Sequence, residues 1–377
     1  MKKLLSLLLA ALLCLGPVCA SAAGLALPAG TAEIAANAFL NDASVTSVTL
    51  PEGLLSIGEN AFLGTGISQV ELPDSLALAD IGANAFPEGT IVAGNQAGLK
   101  AWAEANGYST WRYYALVIGQ VYESTSISTL YACETDMKAM AAMLGTMTAT
   151  PYKVTTRQDL SRSGILSAIR TAFAGATDDD VCLFYYSGHG DASGSLIPTD
   201  YYSRGVGGIS PSQLRSALDQ VKGTKIVILD SCFSGALVDE LGGDMVKDLD
   251  AAEAEPVDLD AINRRVISAF SSGWTSRDGS TPEYIVITAS RDDETSKAYG
   301  PPWYPVYFSL FTAYFLQGCG YNELGTSALG YLPADSNGDG MLTQQEAYAY
   351  VRSNVNSSTQ SAQAYPTGGC GFVLWGQ

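Results

Sequence analysis

The sequence predicts an α/β domain, a mainly parallel sheet sandwiched by helices, preceded by a short repeat solenoid. Two observations predict it. Four apolar β-rich runs, 113–118 (YYALVI), 181–186 (VCLFYY), 225–229 (KIVIL) and 284–288 (YIVIT), are separated by helical stretches such as 134–144 and 210–221. Strands that are apolar throughout are buried on both faces, and alternation with helices is how a parallel sheet acquires those covers. Upstream, Asn37-Ala-Phe39, Asn60-Ala-Phe62 and Asn84-Ala-Phe86 recur at 23 and 24 residues, while Val48-Thr-Leu-Pro51 and Val70-Glu-Leu-Pro73 recur at 22. A constant period of this length is the mark of stacked structural units, each burying its apolar side against the next.

Before the repeats comes MKKLLSLLLAALLCLGPVCASAAG, two lysines, an apolar run and then Ala20-Ser21-Ala22. That order is expected of a secretory signal peptide over 1–22, with export of the mature chain and a secreted or cell-surface location. An uncleaved anchor is the competing reading, against which the run is shorter than the roughly 20 residues a span needs.

The repeats occupy 24–110. In each unit V-x-L-P is expected to be the strand and I-G-x-x-A-F the turn whose Phe plugs the core, with GLKAWAEANGY (98–108) as the cap that so short an array needs. The pattern resembles the bacterial cell-surface repeats called BspA-like leucine-rich repeats. The resemblance implies binding to a cell-surface protein or glycan, with a plain spacer as the alternative.

Of seven cysteines, Cys14 and Cys19 fall in the signal, leaving Cys133, Cys182, Cys232, Cys319 and Cys370, scattered and odd in number. This is no disulfide framework. A formal charge of -18 argues against nucleic acid, whose phosphates call for basic patches. Cationic partners or metal ions suit it better.

Two of the apolar runs end in chemistry. VCLFYY leads into Ser187-Gly-His-Gly190, which contains the only histidine of the chain, His189, and KIVIL leads into Asp230-Ser-Cys-Phe-Ser-Gly235. In an open α/β sheet, catalytic groups gather at the carboxyl ends of the strands, so both motifs belong to one edge. A thiol becomes a nucleophile when a neighbouring imidazole takes its proton, and Cys232 with His189 is the pair available. Glycines beside the histidine let backbone N–H groups approach a substrate carbonyl and stabilise an oxyanion.

SGHG after one strand and DSCFSG after another, with ALVIG (115–119) and L-x-A-C-x-x-D (130–136) upstream, resemble the caspase and metacaspase superfamily (clan CD) of cysteine peptidases. Bacterial metacaspase-like members are nearest, and the likeness covers 111–377. It implies a caspase-like fold, His189 as general base and acid, Cys232 as nucleophile, and the N–H groups of Gly190 and Cys232 as the oxyanion hole. It also implies a substrate pocket of Cys133, Asp136, Ser187 and Asp230. A carboxylate in a closed pocket favours a guanidinium or ammonium, so the expected cleavage is after Arg or Lys and the partners are peptides or proteins carrying basic residues. A surface adhesin on an inactive caspase-like scaffold is the rival reading.

Residues 239–275 interrupt the sheet pattern with nine carboxylates, Lys247 and the pair Arg264 and Arg265. In the superfamily such an insert is often cut during maturation, which makes these three basic residues candidate self-processing sites; an uncut loop or helix is the alternative. Last, DSNGDGMLTQQE (335–346) sets oxygen donors at Asp335, Asn337, Asp339, the Met341 carbonyl and Glu346, with Gly340 at the sharp turn. This is the EF-hand calcium pattern. Ca2+ is therefore expected in a structural or regulatory role, with no cofactor needed for catalysis. Asp200 and Asp239 resemble parts of a separate metacaspase calcium site.

Overall fold

The computed structural model describes residues 23–94, 96–147, 150–178, 180–203, 205–232, 259–271, 283–291, 296–299, 306–322, 327–355 and 360–376. The chain divides into two compact units, Met1–Trp111 and Arg112–Gln377. No helix among the described residues is long and apolar enough to cross a membrane.

The first unit is the solenoid. Strand β1 (Ala23–Ala26) pairs in parallel with β3 (Val45–Thr49), β2 (Glu33–Ile34) with β4 (Ser56–Ile57), and β5 (Gln69–Glu71) with β6 (Ile91–Ala93). The rings of Phe39, Phe62 and Phe86 stack at 5.1 and 5.6 Å, and Tyr108 closes the column edge-on at 5.9 Å. Asn37, Asn60 and Asn84 sit at φ 59°, 56° and 52°, the left-handed region that Asn tolerates best after Gly. That turn aims Asn60 N at Ala83 O and Phe62 N at Ala85 O of the next coil, which is why N-A-F repeats as a unit. The I-G segment differs from the expected turn: Ile34, Ile57 and Ile81 form a second parallel ladder. Its glycine is forced, since a Cβ on Gly82 would lie 2.4 Å from Glu59 N of the preceding coil. Helix α1 (Leu99–Ala105) caps the array, packing Leu99, Trp102 and buried Ala103 on the core.

In the second unit the elements run β7 (Tyr113–Gly119), α2 (Tyr131–Thr146), β8 (Tyr152–Gln158), α3 (Arg162–Ala172), β9 (Val181–His189), α4 (Pro211–Leu218) and β10 (Thr224–Cys232). They continue with α5 (Leu259–Ser271), β11 (Tyr284–Arg291), β12 (Ser296–Tyr299), β13 (Val306–Ser309), α6 (Leu310–Gly318), β14 (Met341–Thr343), α7 (Gln344–Val355), β15 (Gln360–Tyr365) and β16 (Val373–Gly376). Six strands form one sheet in the order β15-β11-β10-β9-β7-β8. All its pairs are parallel except β15, which runs antiparallel beside β11. Alternate strand residues such as Val117, Tyr185, Ile228 and Ile287 share a core with α2, α6 and α7. Helix α5 lies against β11 and β15.

Helix α5 occupies part of the insert 239–275 and matches the helix alternative there. From Leu259 the segment is a packed helix: Ile262, Val266 and Phe270, spaced by four, are buried, and Asn263 Nδ2 donates to Ser361 O at 3.0 Å. Residues 239–258 and 272–275 lie outside the described ones.

Candidate active site

Strands β9 and β10 are paired in register: Asp230 lies opposite Ser187, Ser231 opposite Gly188 and Cys232 opposite His189. Neighbouring strands are about 4.8 Å apart, so the two motifs end side by side at the carboxyl edge of the sheet. For Cys232 the described feature is this backbone position.

His189 is 3% exposed, and its Nε2 lies 2.9 Å from the carbonyl oxygen of Ser128. A carbonyl only accepts, so Nε2 carries a proton, and the neutral form of the ring has its lone pair on Nδ1. The backbone is held as firmly. His189 N donates to Tyr122 Oη at 2.9 Å, and His189 O accepts from Tyr186 Oη at 3.0 Å and from Ile197 N at 3.1 Å. The Tyr122 ring stands 4.8 Å from the imidazole, tilted by 38°. Burial, and secondarily the neighbouring Tyr186, push the Tyr122 phenol well above its ordinary pKa, so it stays protonated. The second residue of SGHG must be glycine for a local reason: a Cβ on Gly188 would lie 2.6 Å from Tyr186 Oη. Gly190 bridges Leu196 through Asp191 N to Ser195 O and Ile197 N to His189 O, a pairing that uses none of the Gly190 N–H.

The expected pocket residues come together. Asp136, Ser187 and Asp230 are all 0% exposed. Ser187 Oγ donates to Asp136 Oδ2 at 2.8 Å, and Ser309 N donates to Asp136 Oδ1 at 3.1 Å. Ser309 Oγ donates to Asp230 Oδ2, the oxygen that also accepts from Thr312 Oγ1 at 2.6 Å. Ser309 thus ties both carboxylates together while its Oγ caps α6 by accepting from Thr312 N at 3.1 Å. Tyr185 Oη is 2.6 Å from Thr312 Oγ1; burial first, then the charges of Asp136 and Asp230, raise its pKa well above the ordinary value. Cys133 is buried one helical turn before Asp136 and clusters with Tyr122, Ile127, Leu130 and Ile197. Sequence reasoning missed Ser309, Thr312 and Tyr185. The visible signal, Ser-x-x-Thr opening an apolar helix, announces a cap and says nothing of the carboxylates it meets.

The remaining candidates lie elsewhere. Lys247 and Asp239 are outside the described residues. Arg264 and Arg265 are exposed on α5, and Arg265 Nη1 donates to Ala192 O at 2.6 Å. Asp200 Oδ1 accepts from Arg162 N, the first residue of α3. In the loop 335–346, Gly340 takes φ 77° and Asp335 accepts from Gly338 N and Gly340 N at 2.7 and 2.8 Å. Asn337 Oδ1 accepts from Asp339 N, and Asp339 Oδ1 from Met341 N. Glu346 Oε1 accepts from Ser336 N and Oγ in the loop, and Oε2 accepts from Thr343 N and Oγ1, while Glu346 N donates to Thr343 Oγ1 to complete a capping box at the start of α7. Burial opposes ionisation of Glu346, but the bonds from Thr343 and Ser336 outweigh it and hold its carboxyl below the ordinary value. Among the described residues, no group of three or more His, Cys, Asp or Glu side chains is arranged to hold a metal ion. Cys133, Cys182, Cys319 and Cys370 form no disulfide.

The fold and the His189–Cys232 register are those of a caspase-like cysteine peptidase domain. The family described as Caspase domain matches residues 112–365, and the chain belongs to that family. The BspA type leucine rich repeat region matches 19–92 in six copies. No curated protein matches the chain. Among solved structures, it is similar to a protein of Geobacter sulfurreducens at 17% identity and TM-score 0.37, over 67% of this chain and 92% of that one. It is also similar to pro-Sf-caspase-1 at 13% identity and TM-score 0.39, over 67% of this chain and 86% of the other.

Proposed function

We propose that the chain is an active, exported cysteine endopeptidase that cleaves after Arg or Lys. The observation that carries this reading is the pair of fully buried carboxylates, Asp136 on α2 and Asp230 on β10, the latter two residues before Cys232, which lies in register with His189. Buried acceptors linked by hydroxyl and amide donors suit a guanidinium or ammonium and reject a second carboxylate. In the reaction, His189 Nδ1 takes the thiol proton of Cys232, and the thiolate sulfur adds to the scissile carbonyl carbon. The oxyanion is stabilised by the N–H groups of Gly190 and Cys232. Collapse breaks the C–N bond as the imidazolium returns its proton to the leaving amine, giving a thioester. Water, deprotonated by the same Nδ1, then hydrolyses the thioester to the acid and restores the thiol.

The test is hydrolysis of fluorogenic peptides ending in Arg, Lys, Asp or Ala. Basic peptides should be cleaved fastest, and His189→Ala should lower turnover by about 10²- to 10⁴-fold, the usual value of a positioned general base. Cys232→Ala should remove it. Preference for Asp, or an active His189→Ala chain, would overturn the reading.

Self-processing after Lys247, Arg264 or Arg265 belongs to the same proposal. Cleavage at Arg264 or Arg265 first requires α5 to unwind, so Lys247 is the expected site. Intact-mass measurement of wild-type and Cys232→Ala chains decides this. The repeats would engage a cell-surface protein or glycan. Calcium would be held by Asp335, Asn337, Asp339, the Met341 carbonyl and Glu346, an all-oxygen set suited to a hard cation. Because Glu346 is engaged as a helix cap, the ion competes with Ser336 and Thr343, and binding should be weak. A melting temperature that rises with millimolar calcium and is insensitive to it in Glu346→Gln supports the site; no shift in the wild type removes it.

A further inference from the structure

His189 is held from one side by a single loop, and that loop is strained. Directly after β7, Tyr122 has φ 66° and Ser124 φ 61°. A positive φ in a bulky aromatic residue is costly, so something must hold it there. The holder is Asp159, itself at φ 51°, whose Oδ1 accepts from both Val121 N at 2.8 Å and Tyr122 N at 2.7 Å. Gln120 ties the same point to the segment that follows β8, donating to Leu160 O at 2.8 Å and accepting from Leu160 N at 2.7 Å. The strained turn sends the Tyr122 side chain inward, where it is fully buried. There its Oη receives the His189 N–H, lies 3.1 Å from Tyr186 Oη and donates to Ile197 O at 2.8 Å. Its ring flanks the imidazole. Six residues on, the same loop presents the Ser128 carbonyl to Nε2.

We propose that Asp159 and Tyr122 are positioning residues of the peptidase: Asp159 clamps the loop 121–128 in its strained turn, and Tyr122 and Ser128 thereby fix the His189 ring and its tautomer. Both act through the loop and the imidazole. The imidazole is held through its backbone N–H, its ring face and its Nε2–H by one segment, whose strained residue takes its backbone N–H bond from one carboxylate oxygen. The inference deepens the proposed activity and rests on it only for the catalytic readout, because the reactivity of Cys232 beside a fixed imidazole can be read without any substrate.

The experiment uses the full chain. Asp159→Ala removes the clamp; Asp159→Asn retains an Oδ1 at the same place and serves as the conservative rescue. Tyr122→Phe removes the acceptor for His189 N–H but keeps the ring. Two readouts are taken at pH 7: kcat and KM for an Arg peptide, and the rate of Cys232 alkylation by iodoacetamide, followed by peptide mass spectrometry. Asp159→Ala should lower both kcat and the alkylation rate by about tenfold or more with KM changed less than twofold, and Asp159→Asn should restore most of each. Tyr122→Phe should lower both as well. In the Asp159→Ala, Tyr122→Phe double variant the loss should fall short of the product of the single losses, because both act through one unit. Equal alkylation rates in all chains, a loss appearing in KM alone, or multiplicative losses would overturn the proposal. If wild type alkylates quickly at Cys232 yet cleaves no Arg peptide, the substrate reading fails while the alkylation series still decides the positioning role. Where Asp159→Ala does not fold, Tyr122→Phe alone decides it by the same two rates.

Discussion

The solenoid and the peptidase unit solve the same problem, filling an interior, with opposite kinds of dependence. In the solenoid the centre is a column of rings, Phe39, Phe62 and Phe86, each touching the next coil, with Asn residues repeating the same left-handed turn beside it. In the peptidase unit the decisive interior groups are polar, and their partners are remote: Asp136 is bonded to Ser309, 173 residues away, and Asp230 to Thr312, 82 away. A repeat stack is stabilised by nearest-neighbour contacts that add up coil by coil. A buried polar network is conditional, because removing one member leaves the others short of a partner in a place without water. The first region therefore tolerates piecemeal change and the second does not.

The largest expected effect on this contrast is in the aromatic column. Phe62 has 0% exposure and stacks on both sides, so Phe62→Ala should cost about 3–5 kcal/mol of solenoid stability. Chemical denaturation of the intact chain reads the loss, and kcat for an Arg peptide below the transition should be unchanged. A parallel loss of kcat would show that the two regions are not separable.

Next comes the buried carboxylate pair. Asp230→Asn removes a charge whose Oδ2 accepts from Ser309 and Thr312. Losing a buried charged partner costs about 2–5 kcal/mol, so kcat/KM for Arg and Lys peptides should fall by that equivalent, and for an Ala peptide far less. Ratios measured on the same preparation separate specificity from damage to the fold. A uniform fall across all peptides would mean that Asp230 serves structure alone.

How far these features could be read in advance differs between the regions for the same reason. The repeats were legible because their determinants are local and recur. The four central strands were legible because burial on both faces leaves a continuous apolar run, and the meeting of Cys232 and His189 at one sheet edge followed from both motifs ending their strands. Both edge strands were missed. In β8 (YKVTTRQ) and β15 (QSAQAY) one side faces no further strand, so polar and small residues are tolerated and no run appears. Within the site, Cys133, Asp136, Ser187 and Asp230 could be named from motif likeness. Ser309, Thr312, Tyr122 and Asp159 could not, because nothing in their neighbouring residues encodes a partner that the tertiary fold brings from far along the chain.

Glu346 offers a smaller effect with a defined pH dependence. Its folded pKa is lowered, so its contribution is present above the unfolded value, near 4.3, and is lost as pH falls through the lower folded value. Glu346→Gln keeps one acceptor oxygen but turns an amide N–H₂ toward the donors of Ser336 or Thr343. Leaving such a donor unmet costs about 1–3 kcal/mol. Melting curves in chelator at pH 7 should show that loss, and the gap between variant and wild type should narrow below pH 4. A gap independent of pH would mean that the carboxylate charge is irrelevant to the cap.

The smallest effect sharpens the comparison most directly. Asn60 sits at φ 56° on the exposed side of the solenoid, donating to Asn37 Oδ1 at 3.3 Å and accepting from Asn84 Nδ2 at 3.4 Å. Those long, solvated side-chain bonds are worth little; what Asn supplies is tolerance of the left-handed turn. Asn60→Ala should therefore cost about 1–2 kcal/mol, the penalty for placing a Cβ-bearing residue without a local hydrogen bond in that region. Asn60→Gly removes the steric penalty and should lie much nearer the wild type, short of it by the greater freedom of glycine in the unfolded chain. If Ala and Gly cost the same, the ladder of amides matters and the backbone turn does not. Asn37 and Asn84 are two coils apart, so their Ala substitutions should add within about 0.5 kcal/mol. Additivity there, set against losses in the Asp159 and Tyr122 pair that do not add, would establish that the chain joins a region built of independent increments to one that works only as a whole.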